Sequence, residues 1–290
     1  MISRGIYTAL LTPFDKNGEF SKSALEKLIE FNLEKGVSGF YVTGSAGEAF
    51  LLSEKERLEV MTAVADIAGD SGVSLVAHVG SISTRYSTEL ARHAEKLGYD
   101  AVSAVPPFYF NFSGGEIKQY YADIAHSVDI PMIIYNIPAF SGVTMTIGDI
   151  DEMLRDEKIA GVKNTSSDYF VMEKIKAHNP QKILFNGYDE TFLAGLAMGA
   201  DGAIGSTYNF MADKFVEIQR LFGENKIAEA QQLQHTANRI IEALVSVGVM
   251  QGEKAILSAL GIPMGACRAP FGKLSAEQEK QLLDTVLPLL

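Results

Sequence analysis

The sequence predicts an α/β protein, a (β/α)₈ TIM barrel with extra C-terminal helices, and three observations carry the prediction. Short β-branched or apolar runs alternate with longer stretches of helical period, the pattern of repeated βα units around a parallel sheet. Eight such units are present, which is the number that closes a barrel. The loop after the first strand reads Leu11-Thr12-Pro13-Phe14, with no glycine-rich phosphate cradle, and this disfavours an open doubly wound sheet.

The predicted strands, in order, are Gly5–Leu11, Gly39–Thr43, Ser74–Val79, Ala101–Val105, Met132–Asn136, Gly161–Lys163, Ile183–Asn186 and Gly202–Gly205. The helices between them carry local signals. Ser53-Glu54-Lys55-Glu56 reads as a capping box, in which Ser53 and Glu56 satisfy each other's terminal amides. Gly36, Gly98 and Gly199 stand where left-handed caps end helices. After the eighth strand, Lys214 to Val247 reads as a long helical stretch with few breaks, followed by a short helix from Gly252 and another from Ser275. The expectation is a single domain, with the barrel over residues 1–212 and a helical extension over 213–290 that covers one side of the barrel or makes a subunit interface.

Composition bounds the function. With 290 residues, 47% of them hydrophobic, the chain can bury a large core as one domain. A net charge of -11 argues against nucleic-acid and membrane surfaces, both of which need a positive field, and so points to a small-molecule ligand. Cys267 is the only cysteine, so no intrachain disulfide can form. With no apolar leader or membrane-length segment, a cytoplasmic location is expected. The five histidines are scattered without ligand spacing, so neither a metal nor a cofactor is expected.

In such barrels the active site forms at the carboxyl ends of the strands, and here those ends are polar. Lys163 stands out because it follows Ile159-Ala160-Gly161-Val162 in a sheet-buried run, where a strongly hydrated ammonium does not go without reason. Burial favours the neutral amine, a nucleophile toward a ketone. The alternative is a structural lysine paired with a carboxylate across the barrel. Tyr135 ends the adjacent strand, where a phenol can relay protons; a core aromatic is its bland reading. Gly44-Ser45-Ala46-Gly47-Glu48 combines glycines, backbone amides and a hydroxyl, the ingredients of an anion nest, with Glu48 anchoring the loop. Asp189 and Glu190 open the helix after strand seven, where acidic residues ordinarily cap, and beside Ser206 they offer a grip for vicinal hydroxyls. His78 reads as a packed strand residue.

Gly44-to-Glu48, Tyr135-Asn136-Ile137-Pro138 and Gly161-Val162-Lys163, found in this order, resemble the shared motifs of the pyruvate-dependent class I aldolases that include N-acetylneuraminate lyase and dihydrodipicolinate synthase. The resemblance covers nearly the whole chain. The run Ala139-Phe140-Ser141-Gly142-Val143, which lacks the arginine usual in the synthases, together with Gly187-Tyr188-Asp189-Glu190 and Gly205-Ser206-Thr207-Tyr208-Asn209, is similar to the lyase pattern of sialic acid catabolism. The resemblance implies that Lys163 forms an imine with C2 of open-chain N-acetylneuraminate, that Tyr135 assists proton transfer, and that N-acetylmannosamine and pyruvate are released. It further implies that Ser45 and the Ala46 amide hold the carboxylate with Thr165 in support, that Gly187, Asp189, Glu190, Gly205 and Ser206 hold the polyol, that Tyr109 completes a hydroxyl relay, and that the assembly is a homotetramer. One departure is Ala46, where the lyases commonly have threonine; this predicts weaker substrate binding by about 1 kcal/mol, one neutral hydrogen bond.

Two related enzyme readings compete: cleavage of a 2-keto-3-deoxy sugar acid, and a dihydrodipicolinate synthase-like condensation of pyruvate with an aldehyde. A third reading, from a different class, is a non-catalytic barrel that senses a keto acid or sugar. A sensor has no need of a buried nucleophile.

Overall fold

Side chains two apart on a strand share a face, so each short strand delivers one set of residues to the barrel axis and the other to the surrounding helices. In the computed structural model, which describes residues 2–290, eight strands close on themselves in sequence order, every pairing parallel. They are β1 (Gly5–Ala9), β2 (Gly39–Val42), β3 (Ser74–His78), β4 (Ala101–Ala104), β5 (Met132–Asn136), β6 (Ile159–Asn164), β7 (Ile183–Asn186) and β8 (Gly202–Gly205). The predicted barrel is therefore the observed fold. β6 is longer than predicted, and several other strands stop one or two residues earlier, where the chain turns into the loops that carry the polar residues.

The axis is filled by Tyr7, Ala9, Tyr41, Val76, Ala101, Ile133, Tyr135, Phe185 and Ile204, one packed cluster. The residues between them, such as Ile6, Phe40, Val42, Ile134 and Val162, face the outer helices and join a second, larger cluster. Two apolar layers thus sandwich the strands. This explains the near-continuous hydrophobic runs, which show no alternation with polar residues.

The outer layer comprises α1 (Lys22–Glu34), α2 (Glu54–Ala68), α3 (Thr84–Lys96), α4 (Gly114–Ala125), the short α5 (Pro138–Ser141), α6 (Ile147–Leu154), α7 (Tyr169–His178), α8 (Phe192–Ala197) and α9 (Tyr208–Gly223). The Ser53–Glu56 capping box forms on α2. Gly36, Gly98 and Gly199 adopt φ of 77°, 81° and 93°, as their cap positions require.

Past β8 the long helical stretch from Lys214 to Val247 has one break among the described residues: it is the end of α9 and then α10 (Ile227–Val247). The break is a left-handed cap at Asn225 (φ 59°): the Lys226 amide reaches back to the Leu221 carbonyl and the Asn225 amide to Phe222. Asparagine tolerates this conformation and the signal was missed because no glycine marks it. α11 (Val249–Ala259) begins three residues before Gly252, after a turn at Gly248, and α12 (Ala276–Val286) follows its Ser275 cap. α9 packs on β1 as the helix that follows the last strand, while α10 and α11 fold back so that Ile241, Val245 and Gly248–Gln251 reach the carboxyl ends of the strands. Among the described residues, no helix is long and apolar enough to cross a membrane.

Candidate active site

The carboxyl ends of the strands surround a cavity of about 510 Å³. Ser45, Ala46, Tyr135, Lys163, Thr165, Gly187, Asp189, Glu190, Gly205 and Ser206 all line it, so ten of the eleven residues singled out from sequence converge. The eleventh, Tyr109, does not. It lies outside the cavity, 83% exposed, at φ 79°, with its ring against Phe110.

Strand parity brings Lys163 to the axis. It pairs in register with Tyr135 on β5 and with Phe185 on β7, both members of the axial cluster. Its side chain is buried, 4% exposed, with Nζ 3.9 Å from the centre of the Tyr135 ring and 4.6 Å from that of Tyr41. Both contacts present the negative face of an aromatic ring to Nζ. Among the described residues no carboxylate forms an ion pair with Lys163, so the structural-pair alternative finds no partner. Two residues earlier on the same face, Gly161 lets β7 approach closely: a Cβ there would stand 2.1 Å from the Ile183 carbonyl oxygen. Tyr41 is a fixed wall; its hydroxyl donates to Ser103 Oγ at 3.0 Å, and burial, aided by Tyr135, holds its phenol well above the ordinary range.

The turn after β2 is a strained loop held at both ends. Thr43 and Glu48 both adopt left-handed backbone conformations, φ 53° and 60°, which non-glycine residues keep only when their surroundings enforce them. At the first end, Thr43 Oγ1 donates to the His78 carbonyl at 3.0 Å and His78 Nδ1 bonds the Thr43 carbonyl at 2.9 Å, so His78 is the packed residue expected. At the second, Glu48 meets Lys254 Nζ at 2.6 Å in a pair almost wholly removed from water, and accepts from the Arg268 amide at 2.7 Å. Between these anchors the amides of Ser45 and Ala46 and the Ser45 hydroxyl have no acceptor or partner among the described residues, as an anion nest requires. Across the cavity Thr165 Oγ1 is buried with no hydrogen-bond partner, and Gly187 keeps it there: a Cβ on Gly187 would lie 1.9 Å from that oxygen.

The opposite wall is acidic. Asp189 Oδ2 accepts from the Thr207 amide at 3.0 Å and from its hydroxyl at 2.7 Å, so this carboxyl is partly committed to the neighbouring loop after β8, and no side-chain bond caps the start of its own helix, where the capping alternative would place one. Burial raises the carboxyl to about 6, opposed by those two bonds. Gly205 is required here, since a Cβ would stand 1.8 Å from Asp189 Oδ1. Ser206 Oγ donates to Glu253 Oε1 of α11 at 2.7 Å. Glu253 escaped the sequence reading, as did Lys254, Tyr41 and the Ile241–Gln251 segment. A signal for Glu253 existed: it stands three and four residues before Ile256 and Leu257, on the buried stripe of an amphipathic helix where a solvated charge does not belong.

Comparison with known proteins agrees with this geometry. Residues 2–287 match the model of the dihydrodipicolinate synthetase family. The chain is 45% identical over 286 residues to an N-acetylneuraminate lyase of Rhizobium meliloti, spanning 99% of this chain and 95% of that protein. It is 43% identical over 283 residues to one of Escherichia coli K12, spanning 96% and 94%. Among solved structures, a Clostridium difficile protein crystallised with mannosamine superposes with a TM-score of 0.98 at 37% identity, covering 100% of both chains. An N-acetylneuraminate lyase of Fusobacterium nucleatum complexed with pyruvate gives 0.92 at 41%, covering 98% and 97%.

Proposed function

As the chain belongs to the dihydrodipicolinate synthetase family, and is thereby a carbon–carbon lyase of the class I aldolase kind, we propose that it cleaves N-acetylneuraminate reversibly to N-acetylmannosamine and pyruvate. The observation that carries this reading is the placing of an unpaired, buried Lys163 against Tyr135, between an anion nest and an acidic wall. In this reading the substrate carboxylate sits on the Ser45 and Ala46 amides with the Ser45 and Thr165 hydroxyls. This puts C2 against Lys163 Nζ; the neutral amine adds to the ketone, and Tyr135 gives its phenol proton to the departing hydroxide, so that water leaves and a protonated imine remains. The Tyr135 phenolate then takes the proton of the C4 hydroxyl as the C3–C4 bond breaks; the electron pair flows into the imine, giving an enamine and the aldehyde of N-acetylmannosamine. Tyr135 passes that proton to C3, and hydrolysis of the imine releases pyruvate and free Lys163, with the last proton returning to Tyr135. Asp189, Glu190 and Ser206 face the hydroxyl chain, whose O–H groups suit an acceptor-rich wall.

The test is pyruvate release from N-acetylneuraminate. The wild-type protein is expected to release it and Lys163→Ala to fall by roughly 10⁴-fold or more, because removing a covalent nucleophile removes the pathway. Borohydride with pyruvate should leave a reduced adduct on Lys163 in the wild type alone. No release above the Lys163→Ala background would sink the reading. We also propose a cytoplasmic homotetramer. The exposed rings of Phe50, Tyr109, Phe110 and Phe140 supply an apolar surface for contact between copies, and a relay through Tyr109 requires such a contact.

A further inference from the structure

Glu253 is fully buried, yet only half of its carboxyl is satisfied. Oε1 accepts from Ser206 Oγ at 2.7 Å, while Oε2 is buried without a hydrogen-bond partner among the described residues. Among the described residues no cation pairs with it, because the adjacent Lys254 is engaged by Glu48. Burial pushes the Glu253 carboxyl up to about 8, with Asp189 adding to the effect against the Ser206 bond. Such a group destabilises the fold relative to an apolar side chain of the same size, so it calls for a reason beyond packing. What it touches supplies one. Ser206 lines the cavity and Glu253 does not; Glu253 stands behind it. The neighbouring hydroxyl, Thr207 Oγ1, is pinned in the same way by Asp189 at 2.7 Å. Two consecutive hydroxyls after β8 are therefore each held by a buried carboxyl, Thr207 by Asp189 of the cavity wall and Ser206 by Glu253 from behind it.

We propose that Glu253 is a positioning residue for substrate recognition: it accepts the hydrogen bond of the Ser206 hydroxyl and so turns the serine's lone pairs to the cavity, which selects a hydrogen-bond donor, a free hydroxyl of the polyol. This rests on the reading of the cavity as a keto-acid polyol site, and it assigns a recognition role to a helix outside the barrel. The Ser206 hydroxyl can rotate, and with an apolar residue at 253 nothing in the contacts above would fix the direction in which it points.

The experiment compares wild type, Glu253→Leu, Glu253→Gln, Ser206→Ala and the Ser206→Ala/Glu253→Leu double variant with N-acetylneuraminate as substrate. Glu253→Leu should raise KM about 5–10-fold, the worth of one well-placed hydrogen bond, with kcat and the rate of borohydride trapping by pyruvate within about twofold of wild type. Glu253→Gln, whose amide oxygen still accepts from Ser206, should restore KM. If Glu253 acts through Ser206, the double variant should match Ser206→Ala alone, whereas independent sites would multiply. An unchanged KM in Glu253→Leu, or multiplicative effects in the double variant, would overturn this proposal and leave the lyase reading standing. Absence of cleavage by the wild type would overturn both. Because Glu253→Leu removes an unpaired buried carboxyl, a variant that melts no lower than wild type confirms that the KM effect is not misfolding.

Discussion

On the β2, β5 and β6 side of the cavity, the groups that would meet a ligand are left unsatisfied by the protein. The Ser45 and Ala46 amides, the Thr165 hydroxyl and Lys163 have no hydrogen-bond or ionic partner among the described residues. On the β7, β8 and α11 side the polar groups are already bonded to one another, Thr207 to Asp189 and Ser206 to Glu253. In the proposed reading both arrangements serve recognition, through different costs. Unmade bonds to an anion form only when the carboxylate arrives, so that side gains much of its energy from the ligand. Pinned hydroxyls have their orientation fixed before binding, so that side loses little freedom on binding and discriminates by direction.

The contrast is broken most severely at Tyr135, which belongs to the first side. Tyr135→Phe keeps the ring that packs on Lys163 and Tyr41 and removes only the hydroxyl. Cleavage of N-acetylneuraminate is expected to lose roughly 10²–10³-fold in kcat, the usual worth of a positioned acid–base group, while the borohydride adduct with pyruvate still forms. A kcat within tenfold of wild type would mean that the proton goes elsewhere.

The second side is sharpened by its titration. Glu253, raised from an ordinary 4.5 to about 8, and Asp189, raised to about 6, both hold a proton in the folded chain that the unfolded chain gives up. Their contribution therefore becomes less favourable as pH rises through that window. For Glu253 the effect accumulates from about pH 4.5 to about pH 8 and totals on the order of 5 kcal/mol. Glu253→Gln cannot ionise, so its melting temperature should fall less between about pH 5 and pH 8 than that of the wild type. Parallel melting curves in the two proteins would show that the Glu253 carboxyl is not strained by burial.

The two sides also differ in how far the residues announced them. Lys163, Tyr135 and the Gly44–Glu48 turn lie at or just beyond strand ends, and a strand's parity and terminus can be read from a few neighbouring residues. Glu48 is a partial case. Its anchoring role was legible from the turn, but its partner Lys254 comes from 206 positions along the chain, a distance at which no local pattern operates. The burial of Glu253 is legible from its helix stripe, but its partner Ser206 is hidden for the same reason as Lys254, since the direction in which α10 and α11 fold back depends on how α9 packs beside β1. The Asn225 cap between α9 and α10 shows a different limit: left-handed backbone without glycine leaves little trace in composition. Tyr109 differs from all of these: its ring is exposed against Phe110, outside the cavity of its own chain.

The smallest expected effect returns to the first side and asks how nearly complete its set of unmade bonds is. Ala46 is half-buried at the cavity wall, with its amide free and only a methyl group where a hydroxyl would add one more contact. Ala46→Thr should tighten the binding of pyruvate, and lower KM for N-acetylneuraminate, by up to about fivefold, the equivalent of one neutral hydrogen bond of about 1 kcal/mol. Because the carboxylate is held alike in ground and transition states, kcat should stay level. Competition by pyruvate against N-acetylneuraminate measures the first quantity and steady-state kinetics the other two. A rise in kcat with unchanged pyruvate affinity would move the added hydroxyl from the carboxylate grip to the proton path beside Tyr135. Weaker pyruvate binding would show that the nest around Ser45 has no room for a β-branched side chain.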